Sequence, residues 1–307
     1  MADKYRLVTR SDFDGLICGA LLSSLNMIDE IKFVHPKDMQ DGNVDITKKD
    51  ITTNLPYVEG AHLVFDHHTS EFERVGTMDN YIIDPDAASC ATVVYEYYGE
   101  DKFPNIDEDM MFAVDKVDSG NFSESEVLHP EGWLLLSFIM DARTGLGRFR
   151  DFSISNYDLM MMLMEKCVEL PLDEILKLPD VTERTNLYFE HQEKFKEQIL
   201  RCSKVFGNLV ILNLRSEETI WAGNRFMIYA LYPDQNISIH IMWGRDKQTT
   251  VFAVGKSIVN LDSKTNVGEL CLKYGGGGHE AAGTCQVDSS KVKEVLREIV
   301  KQINADG

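Results

Sequence analysis

Apolar positions in the first third of the chain fall into short runs divided by longer mixed stretches. Residues 5–9, 31–35, 50–53, 62–65 and 81–83 have the length and β-branched content of strands. Between them, 15–26 and 89–98 carry apolar residues at helical spacing. Strands alternating with helices predict the α/β class: a parallel sheet with helices on both faces. From about Asp107 the pattern becomes helical, over 109–117, 130–141, 156–168 and 172–178. Residues 181–204 predict one long polar helix, in which Tyr188, Phe195, Ile199 and Cys202 make a narrow apolar stripe. Strand patterns return over 209–214, 226–231, 237–243 and 249–254, followed by a glycine-rich loop and a last helix over 290–304. Three parts are expected: a parallel-sheet domain over 1–184, a helical connector over 185–206, and a smaller α/β domain over 207–307.

Composition narrows the partners. The 307 residues are 44% hydrophobic and 26% charged, as in an ordinary globular protein. No apolar run approaches the ~20 residues of a membrane span, and the first residues carry no run of signal-peptide length. Six cysteines without a CxxC pair fit reduced thiols, so a cytoplasmic protein is expected. With 31 basic against 50 acidic residues, the net charge of −19 argues against coating long duplex nucleic acid, which needs a broad basic surface. A short phosphorylated ligand held by local cations or metals remains compatible.

Four constellations carry candidate chemistry. In SDFDG, Asp12 and Asp14 follow the first strand, where α/β sheets place their sites. Such close carboxylates suit a cation between them, although a helix cap with an acidic first turn fits the same residues. In VFDHHTS, Asp66, His67 and His68 follow a later strand at the same sheet edge; imidazole with carboxylate suits manganese, iron, cobalt or zinc. In VDSGNF, Asp118 precedes a small-residue turn, which ordinary turn chemistry also explains. In KYGGGGHEAAGT, the glycines free backbone N–H groups for an anion, His279 adds a donor, and a following helix would aim its N-terminus there.

Taken in this order, the four motifs resemble those of the DHH phosphoesterase superfamily, and most closely its branch with a DHH catalytic domain and a DHH-associated substrate domain. The resemblance covers nearly the whole chain. It implies a divalent cofactor, one or two Mn²⁺ with Mg²⁺ or Co²⁺ as alternatives, held by Asp12, Asp14, His67 and Asp118. It also implies that His68 contacts phosphate or donates a proton, that Asp66 supports it, and that Gly276, Gly277, Gly278 and His279 hold the substrate across an interdomain cleft. Two positions depart from the pattern. Arg10 stands where many members have a histidine and, always protonated, cannot ligate a metal. Asn54, a neutral oxygen ligand, stands where a second-motif aspartate is expected.

Hydrolysis of short linear RNA, above all a dinucleotide such as pGpG, is the activity the resemblance implies, with a place in cyclic-di-GMP turnover. Arg143, Asn224 and Arg225 are further candidate substrate contacts, since arginine suits phosphate or guanine edges; a surface ion pair is the plain alternative. Polyphosphate, pAp or a cyclic dinucleotide are alternative substrates, and a nucleotide sensor with a degraded metal site is the non-enzyme alternative. Family analogy also implies a homodimer.

Overall fold

The computed structural model describes residues 4–307. In chain order the elements begin with β1 (Tyr5–Thr9), α1 (Phe13–Ser24), β2 (Ile28–Phe33), α2 (Pro36–Gln40), β3 (Asp50–Thr53), β4 (Leu63–Asp66), α3 (Thr69–Val75), β5 (Tyr81–Ile83) and α4 (Cys90–Tyr98). A helical stretch follows: α5 (Glu108–Ser119), α6 (Glu124–Leu128), α7 (Gly132–Met140), α8 (Asn156–Glu169), α9 (Leu172–Ile175) and α10 (Pro179–Cys202). The last part holds β6 (Ser203–Phe206), β7 (Leu209–Asn213), α11 (Met227–Leu231), β8 (Ile237–Trp243), β9 (Thr249–Lys256), α12 (Val267–Leu272), β10 (Gly277–Gly278), β11 (Ala282–Asp288) and α13 (Val292–Asp306). None of these helices is long and apolar enough to cross a membrane.

The chain forms two compact units, one of residues up to Asn121 with Glu131–Asn186, the other of Phe122–Pro130 with Leu187–Gly307. In the first, a five-stranded sheet runs β2-β1-β3-β4-β5 with every pairing parallel. Alternation along the strands gives it two apolar faces. Val8 packs with Val34, Met39, Val44 and Leu55 on one; Phe65, on the other, stacks edge-on to Tyr97 at the end of α4. The order reverses between β1 and β3, whose neighbours lie to opposite sides, so a crevice opens at their carboxyl ends. Thr9, Thr53 and Phe65 are in register there, and the loops after them carry the candidate residues.

The second unit holds a mixed sheet, β10-β11-β9-β8-β7-β6, in which only β7 and β8 are parallel. Ile237, Ile239, Ile241 and Phe252 of the sheet are buried together with Ile299 and Ile303 of α13, each such side chain contributing about 1.5–3 kcal/mol. Residues 122–130 join this unit, although the sequence pattern assigned them to the catalytic domain. Phe122 meets the Phe226 ring at 5.1 Å, and Asn224 Nδ2 donates to the Val127 carbonyl over 3.4 Å. The long helix read over 181–204 is α10, and the chain continues from it directly into edge strand β6. Residues 226–231, read as a strand, form the short helix α11 instead. Met227, Ile228, Tyr229 and Ala230 are all buried, which removes the alternation a half-exposed strand would show.

Candidate active site

The loop after β1 is shaped by Gly15. A Cβ there would lie 2.0 Å from the Arg10 carbonyl, so only glycine lets the chain close this tightly into α1. Asp12 caps α1, its Oδ1 accepting from the Gly15 amide at 3.0 Å, while Oδ2 pairs with Arg10 Nε at 2.9 Å. Cap and site readings therefore meet in one residue. Burial pushes the Asp12 carboxyl up against the opposing pull of Arg10.

Asp14 is 1% exposed and receives two amides from the start of α4, Ala91 N–H at 2.8 Å and Cys90 N–H at 3.1 Å. A helix N-terminus favours a carboxylate. Burial, with the charge of Asp118, nevertheless holds the Asp14 carboxyl well above its ordinary range. Cys18 and Cys90 lie behind it; burial pushes both thiols up, Cys18 to about 11, so they are neutral packing at ordinary pH.

The end of β4 organises both histidines. Asp66, fully buried, accepts from Tyr81 Oη–H at 3.0 Å and from the His67 amide at 2.9 Å, and its Oδ1 lies 2.7 Å from His68 Nδ1. His67 Nδ1 is 3.3 Å from the Ala87 carbonyl, which favours the tautomer with its proton on Nδ1. Its Nε2 makes no well-aligned hydrogen bond, though Asp118 Oδ2 lies 3.1 Å away. Burial alone would lower the His67 pKa; the close Asp118 carboxylate and the Asp14 charge outweigh it and raise the imidazole to about 9.

Ligand atoms of Asp14, His67 and Asp118 all lie within 4.8 Å of one another. Asn54 stands at the same edge with a left-handed backbone (φ 53°), a conformation asparagine tolerates better than most residues. Its Nδ2 donates to Asp12 Oδ1 at 3.2 Å, while its own Oδ1 is buried without a hydrogen-bond partner. Two carboxylates and an imidazole nitrogen form an N/O donor set fit for a divalent cation. The structure thus brings Asp14, His67 and Asp118 together, while Asn54 is hydrogen-bonded to Asp12. Asp12 and Asp14 each have a protein partner on both oxygens, but Asp12 differs in that one of its partners is a cation, Arg10.

Among the expected substrate contacts, Arg143 folds onto Asp141, with Nε 2.8 Å from Oδ1 and Nη2 2.7 Å from Oδ2, while Asp12 and Asp118 add to the field on its guanidinium. Arg225 lies 4.3 Å from the Phe226 ring centroid. Asn224 corrects the sequence reading. It is 1% exposed, and its amide is spent on the Phe226 N–H and the Val127 carbonyl, so it positions the Arg225 loop rather than offering a group to a ligand.

The glycine-rich segment also differs from expectation. No helix follows it; Gly277 and Gly278 pair with Thr284 and Gly283 in a hairpin, closed by the His279 N–H donating to the Ala282 carbonyl at 2.8 Å. Backbone closeness explains the glycines. A Cβ on Gly276 would sit 2.1 Å from the Thr284 carbonyl, whereas Gly277 faces open space and His279 is exposed. Three features had no signal in the sequence: Arg10 on Asp12, the α4 amides on Asp14, and the Ala87 carbonyl on His67.

No family model and no curated protein matches the chain. Among solved structures, a pGpG-specific phosphodiesterase, PggH from Vibrio cholerae, is 60% identical, with 99% of this chain and 100% of that one covered at a TM-score of 0.88. CDC45 from Entamoeba histolytica shares the fold at a TM-score of 0.55 and 10% identity, with 97% and 95% of the two chains covered.

Proposed function

The chain belongs to the DHH phosphoesterase superfamily, and from that premise we propose that it hydrolyses the linear dinucleotide pGpG to mononucleotides. The observation that carries this reading is the full-length likeness to a pGpG-specific phosphodiesterase. The net charge of −19 agrees with a short substrate rather than a long polyanion.

Asp14, His67 and Asp118 would hold a divalent cation, with Asn54 Oδ1 as a further oxygen and Asp12 as a ligand only if it releases Arg10. Mn²⁺ is the proposed ion, with Mg²⁺ or Co²⁺ as substitutes. When bound, such an ion lowers the pKa of its water and neutralises charge on the attacked phosphate. Asp66 orients His68, with Nδ1–H donated to Asp66, and so leaves Nε2 as the ring atom through which a proton would pass. That proton is the one we assign to the departing oxygen. Arg143 supplies a phosphate contact beside the carboxylates after letting go of Asp141. In the second unit we assign substrate contact to Arg225, to the exposed backbone of Gly277 and Gly278, with Gly276 shaping the turn, and to His279.

The test is a panel of di- to heptanucleotides, pAp, cyclic dinucleotides and polyphosphate, each incubated with Mn²⁺. GMP release from pGpG is expected, and its loss in a variant with Asp66, His67 and His68 all changed to alanine. Orthophosphate release from polyphosphate with pGpG untouched overturns the substrate. Binding of pGpG with no turnover above that variant makes the protein a sensor.

A further inference from the structure

Helix α13 divides its surface three ways. Val292, Val295, Ile299 and Ile303 enter the core, and Glu294 and Glu298 lie on a second side. Lys293, Leu296, Arg297, Val300 and Lys301 form a third, at the i, i+3, i+4, i+7 spacing of one helix face, and wall a groove against β6 and β7. The groove has a volume of about 730 Å³, and Phe206 and Ile211 line its floor.

Three properties of this groove occur together. Its floor is apolar and open: Phe206, beside Ile211, remains 44% exposed. Its flank is β6, the edge strand of the sheet, hydrogen-bonded only to β7 and so leaving a row of backbone groups without a strand partner. Its rim is basic. Among the described residues, Lys204, Lys293, Arg297 and Lys301 form no ion pair, whereas Arg6, Arg10, Arg74, Arg150 and Arg201 each meet a carboxylate. In a chain of charge −19, four unpaired cations around one groove are a local reversal of the overall field.

We propose that this groove docks an extended acidic segment of a partner protein, added as a strand along β6. Main-chain hydrogen bonds to the edge would supply affinity. Alternate side chains would then enter the groove, apolar ones against Phe206, Leu296 and Val300, carboxylates against the four cations. A second copy related by a two-fold axis fits poorly, because isologous contact sets the same four cations against themselves. A bare polyanion leaves the apolar floor and the strand edge unused.

Random dodecapeptides displayed on phage, selected on the full chain, provide the test. Enriched peptides are synthesised and titrated by fluorescence anisotropy against wild type, the Lys293→Glu/Arg297→Glu double variant, and the milder Lys301→Ala. The expected winners alternate acidic and apolar residues, bind the double variant about tenfold more weakly, and lose affinity in salt. Lys301→Ala gives a smaller loss, and hydrogen exchange slows along β6 on binding. Retained pGpG hydrolysis in both variants shows that they fold. Enrichment of no acidic sequence, equal affinity for the double variant, or protection only away from β6 each overturns the proposal.

Discussion

Asn54 donates its amide to Asp12 Oδ1 over 3.2 Å while its own carbonyl oxygen stays buried with no partner. An unpaired buried carbonyl is costly, and a cation repays that cost where a protein donor does not. Asn54→Leu removes the oxygen and keeps the volume. Mn²⁺ affinity by calorimetry is expected to fall about 10- to 100-fold, the scale seen for groups that hold or orient ligands. An unchanged dissociation constant removes Asn54 from the metal site.

His67 and Asp118 are tied by the 3.1 Å contact that helps to raise the imidazole to about 9. Asp118→Asn withdraws the negative charge while keeping an acceptor oxygen, so burial meets a weaker opposing field. In metal-free protein the His67 ring, followed by NMR through its Cε1 proton, should therefore titrate below 9. A ring that still titrates near 9 would mean that Asp14 and the Ala87 carbonyl supply the raising field without Asp118.

His68 is set by Asp66 rather than by the cation ligands. His68→Asn keeps a polar group but removes the proton donor. Turnover of pGpG should fall about 10²- to 10⁴-fold with little change in KM. A rise in KM at constant kcat would make His68 a binding contact only.

Adjacent glycines in the hairpin give opposite expectations. Gly276→Ala forces a Cβ against the Thr284 carbonyl, so it should lower the melting temperature. Gly277→Ala meets nothing within 4 Å and should leave stability unchanged. If the backbone there approaches the substrate, the added methyl raises KM for pGpG. An unaltered KM removes Gly277 from the binding surface.

Local pattern made the five parallel strands legible and placed Asp14 and His67 at one sheet edge, because strand ends and the loops after them follow from short-range periodicity; Asp118, near the end of α5, joined them only through the family resemblance. Contacts between distant segments were not legible. Asp14 accepts amides 76 and 77 residues away, and nothing in either segment marks that pairing. Glu280, Ala281 and Ala282 favour a helix by propensity, yet pairing of Gly278 with Gly283 turns them into a hairpin. Arg10 read as a departure from the family pattern; in the structure it is the counterion of Asp12. Asn224 read as a candidate substrate contact beside Arg225, and its burial and internal bonds were not legible from the sequence.

His240 lies in β8, between β7 and β9 in the middle of the second sheet, where burial lowers its pKa from 6.5 to about 4. The folded state thus keeps the imidazole neutral where the unfolded chain would protonate it. Between pH 6.5 and 4 the unfolded state binds more protons, so stability rises with pH across that window and is lost as pH falls through it. A shift of this size corresponds to at most about 3 kcal/mol, complete above pH 6.5 and gone below 4. Urea unfolding of metal-free protein from pH 7.5 to 4, compared with His240→Gln, isolates the contribution. Glutamine keeps the polarity and does not titrate, so the gap between the two proteins should change by up to this amount across the window, wild type losing more. Parallel curves from pH 7.5 to 4 would show that His240 is protonated as readily in the folded sheet as in the unfolded chain.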